Sequence, residues 1–299
     1  MTEERKQEIL EIIRNTNRRP AQTGKPLYPE IMAYPNLCEE IESISRTVDG
    51  FSYRMDILRA KNRGENCPLF INIHGGGFIG PHRENDTYFS AYMADQIHGI
   101  TVDLDYTLSD AAPYPVALHQ CMDALDYVAE HANTWGASAK DISVGGYSAG
   151  GALTAAMGIC CAERGGFVPK LQILCYPPLE YRIPDQYKID AYDRQIGMER
   201  CKAFADLYFD DKKENFEDIH NSPLYAPREI LAKQPKTLIL SAGLCNFRYE
   251  DEDYAICLAD AGAEVILKRF PEASHGFIPH FMDGWKEAAD LMVREILEK

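Results

Sequence analysis

The chain has 299 residues, with 31 Lys and Arg against 46 Asp and Glu, a formal charge of −15; nucleic acid, itself a polyanion, is excluded as an expected partner. At 45% hydrophobic and 26% charged, a chain of this length buries roughly three-quarters of its unfolded surface, which excludes disorder for most of it. The charged N-terminus MTEERKQEILEIIRN fits neither a secretory signal nor a membrane anchor, and no weakly polar stretch reaches the roughly 20 residues of a bilayer span.

Residues 3 to 14 place Ile9, Ile12 and Ile13 on one helical face, with acids first and Arg14, Arg18 and Arg19 last, as the helix dipole favours. A loop from Pro20 to Pro35 follows. Ile41 to Val48 and Phe51 to Leu58 alternate in character, and Asp49-Gly50 joins them as a hairpin. From residue 68 short apolar runs appear: Leu69 to Ile73, Ile100 to Leu104, Ile142 to Val144, Leu171 to Cys175, Thr237 to Leu240 and Val265 to Leu267. These read as strands of a mainly parallel sheet buried on both faces. Helices are predicted at Val116 to His131, Ala149 to Ala162, Glu250 to Asp260 and around Trp285 to Ile296. Residues 180 to 230 interrupt the alternation with a helical piece at Met198 to Tyr208. The expectation is one α/β domain over 1–299, with cap elements at about 1–40 and 180–230.

The strongest chemical signal is Gly146-Tyr147-Ser148-Ala149-Gly150, between a strand and a helix of small residues. That context suits a nucleophile elbow, where a serine on a strained turn needs glycines beside it so that neighbouring backbone can approach. His74-Gly75-Gly76-Gly77-Phe78 ends an earlier strand. The amides of Gly76, Gly77 and Ala149 are the expected donors to an oxyanion. Ser274-His275-Gly276-Phe277 follows the last strand, where a base for Ser148 belongs, and the Ser-acid-His order is that of a hydrolase triad. The glycine loop also supports a rival. Gly75-x-Gly77-x-x-Gly80 matches the dinucleotide fingerprint, with Asp103 and Asp105 downstream, so a nicotinamide-binding oxidoreductase stays open. Against it, Pro81 and the polar run His82 to Asp86 make a poor helix start.

Together these motifs, with Asp105-Tyr106, Pro113-Tyr114-Pro115 and Ser148-Ala149-Gly150-Gly151 between them, resemble the hormone-sensitive-lipase-like branch of the α/β-hydrolases. The resemblance implies an eight-stranded sheet, an N-terminal cap region, and cofactor-free hydrolysis of short, acetyl-type acyl esters. Two departures stand out. Tyr147 replaces a residue that is often acidic in that branch, and Cys245 occupies the position of the catalytic Asp, in Cys245-Asn246-Phe247-Arg248-Tyr249-Glu250. Loss of that charge costs a serine protease roughly 10⁴ in turnover. Three substitutes are available: Glu250 or Asp251 a turn further on, Asn246, or a Ser-His pair alone. Glu250 ranks first.

The leading expectation is therefore a serine carboxylic-ester hydrolase with Ser148, His275 and Glu250. A non-catalytic binding protein on the same scaffold is the alternative that Cys245 suggests. Tyr176, Tyr181, Tyr187, Tyr192, Tyr208 and Tyr225 crowd the predicted cap, and aromatic platforms of this kind hold sugars, so an acylated carbohydrate is one candidate substrate. No metal spacing is present. The partner expected is a small-molecule ester, with a homodimer left open, and the net negative field opposes strongly anionic substrates. Nine cysteines without CxxC spacing point to a reducing compartment, the cytoplasm.

Overall fold

The computed structural model describes residues 1–16, 29–183 and 197–298. Its strands are β1 (Glu42–Val48), β2 (Phe51–Arg59), β3 (Cys67–Ile73), β4 (Ile100–Asp105), β5 (Ala137–Tyr147), β6 (Leu171–Cys175), β7 (Lys236–Ala242) and β8 (Val265–Phe270). Its helices are α1 (Glu3–Thr16), α2 (Pro29–Met32), α3 (Glu84–Gln96), α4 (Val116–His131), α5 (Ala149–Arg164), α6 (Met198–Tyr208), α7 (Lys213–Glu217), α8 (Arg228–Leu231), α9 (Arg248–Ala261) and α10 (Trp285–Leu297).

All eight strands join one sheet in the order β1-β2-β4-β3-β5-β6-β7-β8. Only the β1–β2 and β2–β4 pairings are antiparallel. The turn between β1 and β2 has Asp49 at φ 52° and Gly50 at φ 83°; two successive left-handed residues match the right-handed twist of the strands they join. β3 and β6 are buried almost throughout, because helices cover both sheet faces, whereas β8 at the edge is half-exposed. The strand order reverses at β3, with β4 on one side and β5 on the other. The loops leaving β3 and β5 therefore converge at a topological switch point, where open α/β sheets bind ligands.

One helix contradicts the sequence reading. His82 to Asp86 looked like a poor helix start, yet α3 begins at Glu84. The Asp86 carboxylate accepts the Arg83 N–H at 2.9 Å, which caps the first turn. The buried Phe89, Tyr92 and Met93 then anchor the helix against the core. The loop expected from Pro20 to Pro35 is also partly helical, with α2 and a 3₁₀ turn at Tyr34–Leu37 in its described part.

Of the segments read as cap, α1 packs against α6, burying Ile9 and Ile13 on Ala203 and Leu207. Both helices border the cavity above the switch point. Tyr34 instead packs on Tyr92 of α3, with ring centroids 5.1 Å apart. α8 lies against α5 and α9. Among the described residues no helix is long and apolar enough to cross a membrane.

Candidate active site

Ser148 sits between β5 and α5 at φ 53° and ψ −119°. A non-glycine residue held there stores strain of about 1–3 kcal/mol, and the surroundings must enforce it. The enforcing contact is close backbone packing. A Cβ on Gly150 would lie 2.1 Å from the Ile73 carbonyl oxygen, and one on Gly146 would lie 2.5 Å from Gly150. The elbow can therefore press against the end of β3 only with glycine at both places.

The imidazole of His275, on the loop after β8, has Nε2 2.9 Å from Ser148 Oγ. Its Nδ1 lies 3.0 Å from Cys245 Sγ. Tyr176 and Phe247 pack their rings edge-on to it, with centroids 5.0 and 5.6 Å away. The side chain is 8% exposed, so one edge of the ring faces the serine while the rest is fixed by packing. Burial pushes the Cys245 thiol well above its ordinary range, with the charge of Asp251 adding to the effect. The group facing Nδ1 is thus a neutral sulfur. With the Ser148 hydroxyl donating to Nε2, the ring carries its proton on Nδ1, and that N–H donates to the sulfur.

The structure does not bring Glu250, ranked first as the acid, to the imidazole. Its Oε2 accepts the backbone N–H groups of Leu179 and Glu180 at 2.8 and 3.0 Å, which ties the start of α9 to the loop after β6. The distances reverse the sequence ranking: Nδ1 meets the Cys245 sulfur, not the carboxylate five residues on. Asp251 is fully buried, and among the described residues neither of its oxygens has a hydrogen-bond partner.

The glycine loop after β3 folds over the elbow. Gly76 (φ 122°) and Gly77 (φ 63°) both occupy left-handed backbone, and a Cβ on Gly77 would meet the Phe204 ring of α6 at 2.5 Å. Among the described residues, the amides of Gly76, Gly77 and Ala149 have no protein acceptor. His74 anchors the loop from below, stacked on Tyr106 at 4.3 Å, with Tyr106 Oη donating to its carbonyl at 3.2 Å. Burial lowers the His74 imidazole to a pKa of about 4, so it stays neutral.

The dinucleotide geometry is not formed. The N–H groups of Ile79 and Gly80 both donate to the Gly76 carbonyl, and α3 starts four residues beyond Gly80 instead of at the glycine turn.

A cavity of about 430 Å³ opens above Ser148 and His275, between the glycine loop, α3, α1 and α6. The sequence reading missed Arg83 and Asn85 at its α3 side and Phe204 on α6. No local motif marks them; only the position of α3 and α6 reveals them. Of the six tyrosines noted in the sequence, Tyr176 and Tyr181 border the cavity, and Tyr176 is fully buried. Tyr208 is stacked on Phe78 at 3.7 Å, and Tyr225 lies under Arg182 at 4.3 Å. Tyr187 and Tyr192 lie outside the described residues.

Comparison with known proteins agrees with this architecture. Esterase LipI of Mycobacterium tuberculosis is 30% identical over 217 residues, 71% of this chain and 66% of that protein. Carboxylic ester hydrolase LipN of the same organism is 31% identical over 243 residues, 76% of this chain and 61% of the relative. The matched part thus spans somewhat under two thirds of those relatives. Among solved structures, a fungal esterase from Rhizomucor miehei superposes with a TM-score of 0.79 at 25% identity, covering 96% of this chain and 95% of the other. A family model described as the alpha/beta hydrolase fold matches residues 70–279, from the strand before the glycine loop to the loop just beyond His275. With the sheet order, the elbow and that match in agreement, the chain belongs to the alpha/beta hydrolase fold family.

Proposed function

We propose that the protein is a serine carboxylic-ester hydrolase acting on short acyl esters through an acyl-enzyme. The observation that carries this reading is the 2.9 Å contact between Ser148 Oγ and His275 Nε2, at the floor of a cavity bordered by the glycine loop. Ser148 Oγ attacks the acyl carbonyl while His275 Nε2 takes its proton. The carbonyl oxygen becomes an oxyanion held by the amides of Gly76, Gly77 and Ala149. Collapse of the tetrahedral intermediate expels the alcohol, which receives the proton from His275. Water then attacks the acyl-serine by the same route in reverse.

In this reading Cys245 fills the third place of the triad as a neutral acceptor. It holds the Nδ1–H tautomer but adds no charge to stabilise the imidazolium. Glu250 is a scaffold residue. The small cavity beneath α1 and α6, which act as the cap, supports a short acyl chain. An acylated carbohydrate gains little support, because Tyr208 and Tyr225 are committed to other contacts.

The test is Ser148→Ala, which is expected to lose hydrolysis of 4-nitrophenyl acetate while its circular dichroism stays that of the wild type. Turnover equal to wild type would end the proposal. The neutral thiol at position 245 favours one second reading, a binding protein that kept the scaffold. A fluorophosphonate probe separates the two: stoichiometric labelling at Ser148 marks an activated nucleophile, and absence of labelling marks the binder.

A further inference from the structure

The cavity lining has a charge balance opposite to that of the chain. The protein carries 15 more acids than bases, yet the described residues lining the cavity include two arginines, Arg83 and Arg200, against a single carboxylate, Asp86. That carboxylate is committed already, since its Oδ2 accepts the Arg83 N–H at 2.9 Å. Burial, with the nearby charge of Asp103, raises its pKa to about 7, so near neutrality it carries only part of a charge.

Arg83 and Asn85 flank the start of α3 and both line the cavity. Among the described residues, the Arg83 guanidinium has neither a hydrogen bond nor an ion pair, and the Asn85 carboxamide has no hydrogen bond. Arg46 pairs with Asp123 at 2.6 Å, Arg63 with Glu39 at 2.6 Å and Arg164 with Asp126 at 2.7 Å; Arg14 and Arg228, like Arg83, have no ion pair among the described residues, but neither of them borders the cavity. Arg83 is exposed and its charge is felt by Asp86, but no hydrogen bond or ion pair occupies its guanidinium at the wall of the cavity that holds the nucleophile, so it can take a carboxylate from a bound molecule. A guanidinium offers a planar fork that fits a carboxylate through two parallel hydrogen bonds, and the Asn85 carboxamide, which lines the same cavity, can donate to a polar group of the bound molecule.

We propose that Arg83, assisted by Asn85, binds a carboxylate carried by the substrate, so that the preferred esters are anionic ones bearing a free carboxyl group on the acyl or the alcohol part. This deepens the hydrolase reading above and rests on it for the identity of the reacting bond. It also reverses the sequence expectation that the net charge opposes such substrates. Charges on the far surface are screened over about 8–10 Å at physiological ionic strength, whereas a direct contact with the exposed Arg83 at the cavity wall is weakened by salt but not abolished.

The experiment measures binding in the Ser148→Ala variant, so that it does not depend on turnover. Titration calorimetry compares monomethyl adipate with dimethyl adipate, which place the carboxylate or its neutral ester on the acyl chain. It also compares 4-acetoxybenzoate with methyl 4-acetoxybenzoate, which place them on the alcohol part. In at least one pair the anion is expected to bind tenfold or more tightly, with the advantage shrinking as salt rises from 50 to 500 mM. Adding Arg83→Gln is expected to remove that preference, and Arg83→Lys to keep part of it. Equal binding of anion and neutral ester in both pairs overturns the proposal, as does a preference that survives Arg83→Gln. If the hydrolase reading alone is wrong, the anion preference persists in binding while wild-type protein fails to cleave any of the four esters.

Discussion

Replacing Cys245 by Asp puts a charge where the site now has a neutral sulfur. Cys245 Sγ lies 3.0 Å from His275 Nδ1, so an aspartate there would sit about 4 Å, charge to charge, from an imidazolium. At an effective dielectric of about 20, that separation is worth about 4 kcal/mol to the protonated ring. Part of the gain is lost in desolvating the new carboxylate at a position only 7% exposed. The Phe247 N–H, 3.4 Å from the sulfur, stands ready as a donor and limits that loss. A net gain of about 2 kcal/mol in the transition state corresponds to roughly thirtyfold in kcat. Because a neighbouring negative charge favours the imidazolium, the acid limb of the kcat/KM profile should also move to higher pH. The assay is 4-nitrophenyl acetate hydrolysis between pH 5 and 9, with Cys245→Ala alongside to remove the acceptor altogether. A Cys245→Asp enzyme that folds normally, yet shows no rise in kcat and no displacement of the acid limb, would refute the assignment of Cys245 to the acid's place.

Two further outcomes follow from the polar groups around the site. Glu250→Gln keeps one acceptor for the Leu179 and Glu180 amides but loses the charge, and should lower stability by about 1–2 kcal/mol in urea unfolding while leaving the pH dependence of turnover in place; a displaced pH profile with unchanged stability would return Glu250 to the role of acid. Burial pulls the His82 imidazole down, but the charge of Asp103 and their 2.7 Å hydrogen bond outweigh it and raise its pKa to about 9. Since that folded value lies above the unfolded 6.5, the pair's contribution is complete below about pH 6.5 and disappears as pH rises through 9. His82→Gln should therefore lower the melting temperature clearly at pH 6 and much less at pH 9.5, and an equal loss at both would show that the pair contributes nothing through its charge.

Much of the frame was legible in the order of residues. Asp49-Gly50 announced the hairpin because few other dipeptides tolerate two left-handed positions. Val116–His131 and Met198–Tyr208 form helices at their predicted bounds, since their apolar spacing matches the face each buries. α3 was not legible, because its first turn is polar and is capped from within by Asp86, and its apolar residues are spread around the helix. Around the nucleophile, the elbow glycines carried their own explanation, for only glycine survives a 2.1 Å approach of backbone. Glu250 misled because a carboxylate near an expected acid position is visible in a sequence, whereas its direction toward Leu179 and Glu180 is set by the start of α9. Arg83 was hidden for a related reason: what distinguishes it is its place at the cavity wall, which no local pattern records.

The pairing of α1 with α6 has a consequence for how the molecule is made. α1 precedes α6 in the chain, and the helix that buries Ile9 and Ile13 is synthesised only after six of the eight strands. Until then those isoleucines lack Ala203 and Leu207, and the α6 side of the cavity over Ser148 is not yet made. Closure over the nucleophile is therefore a late event in biogenesis: from Ser148 to the end of α6 at Tyr208, typical elongation speeds of about 5–20 residues per second leave the nucleophile without its roof for roughly 3–12 seconds.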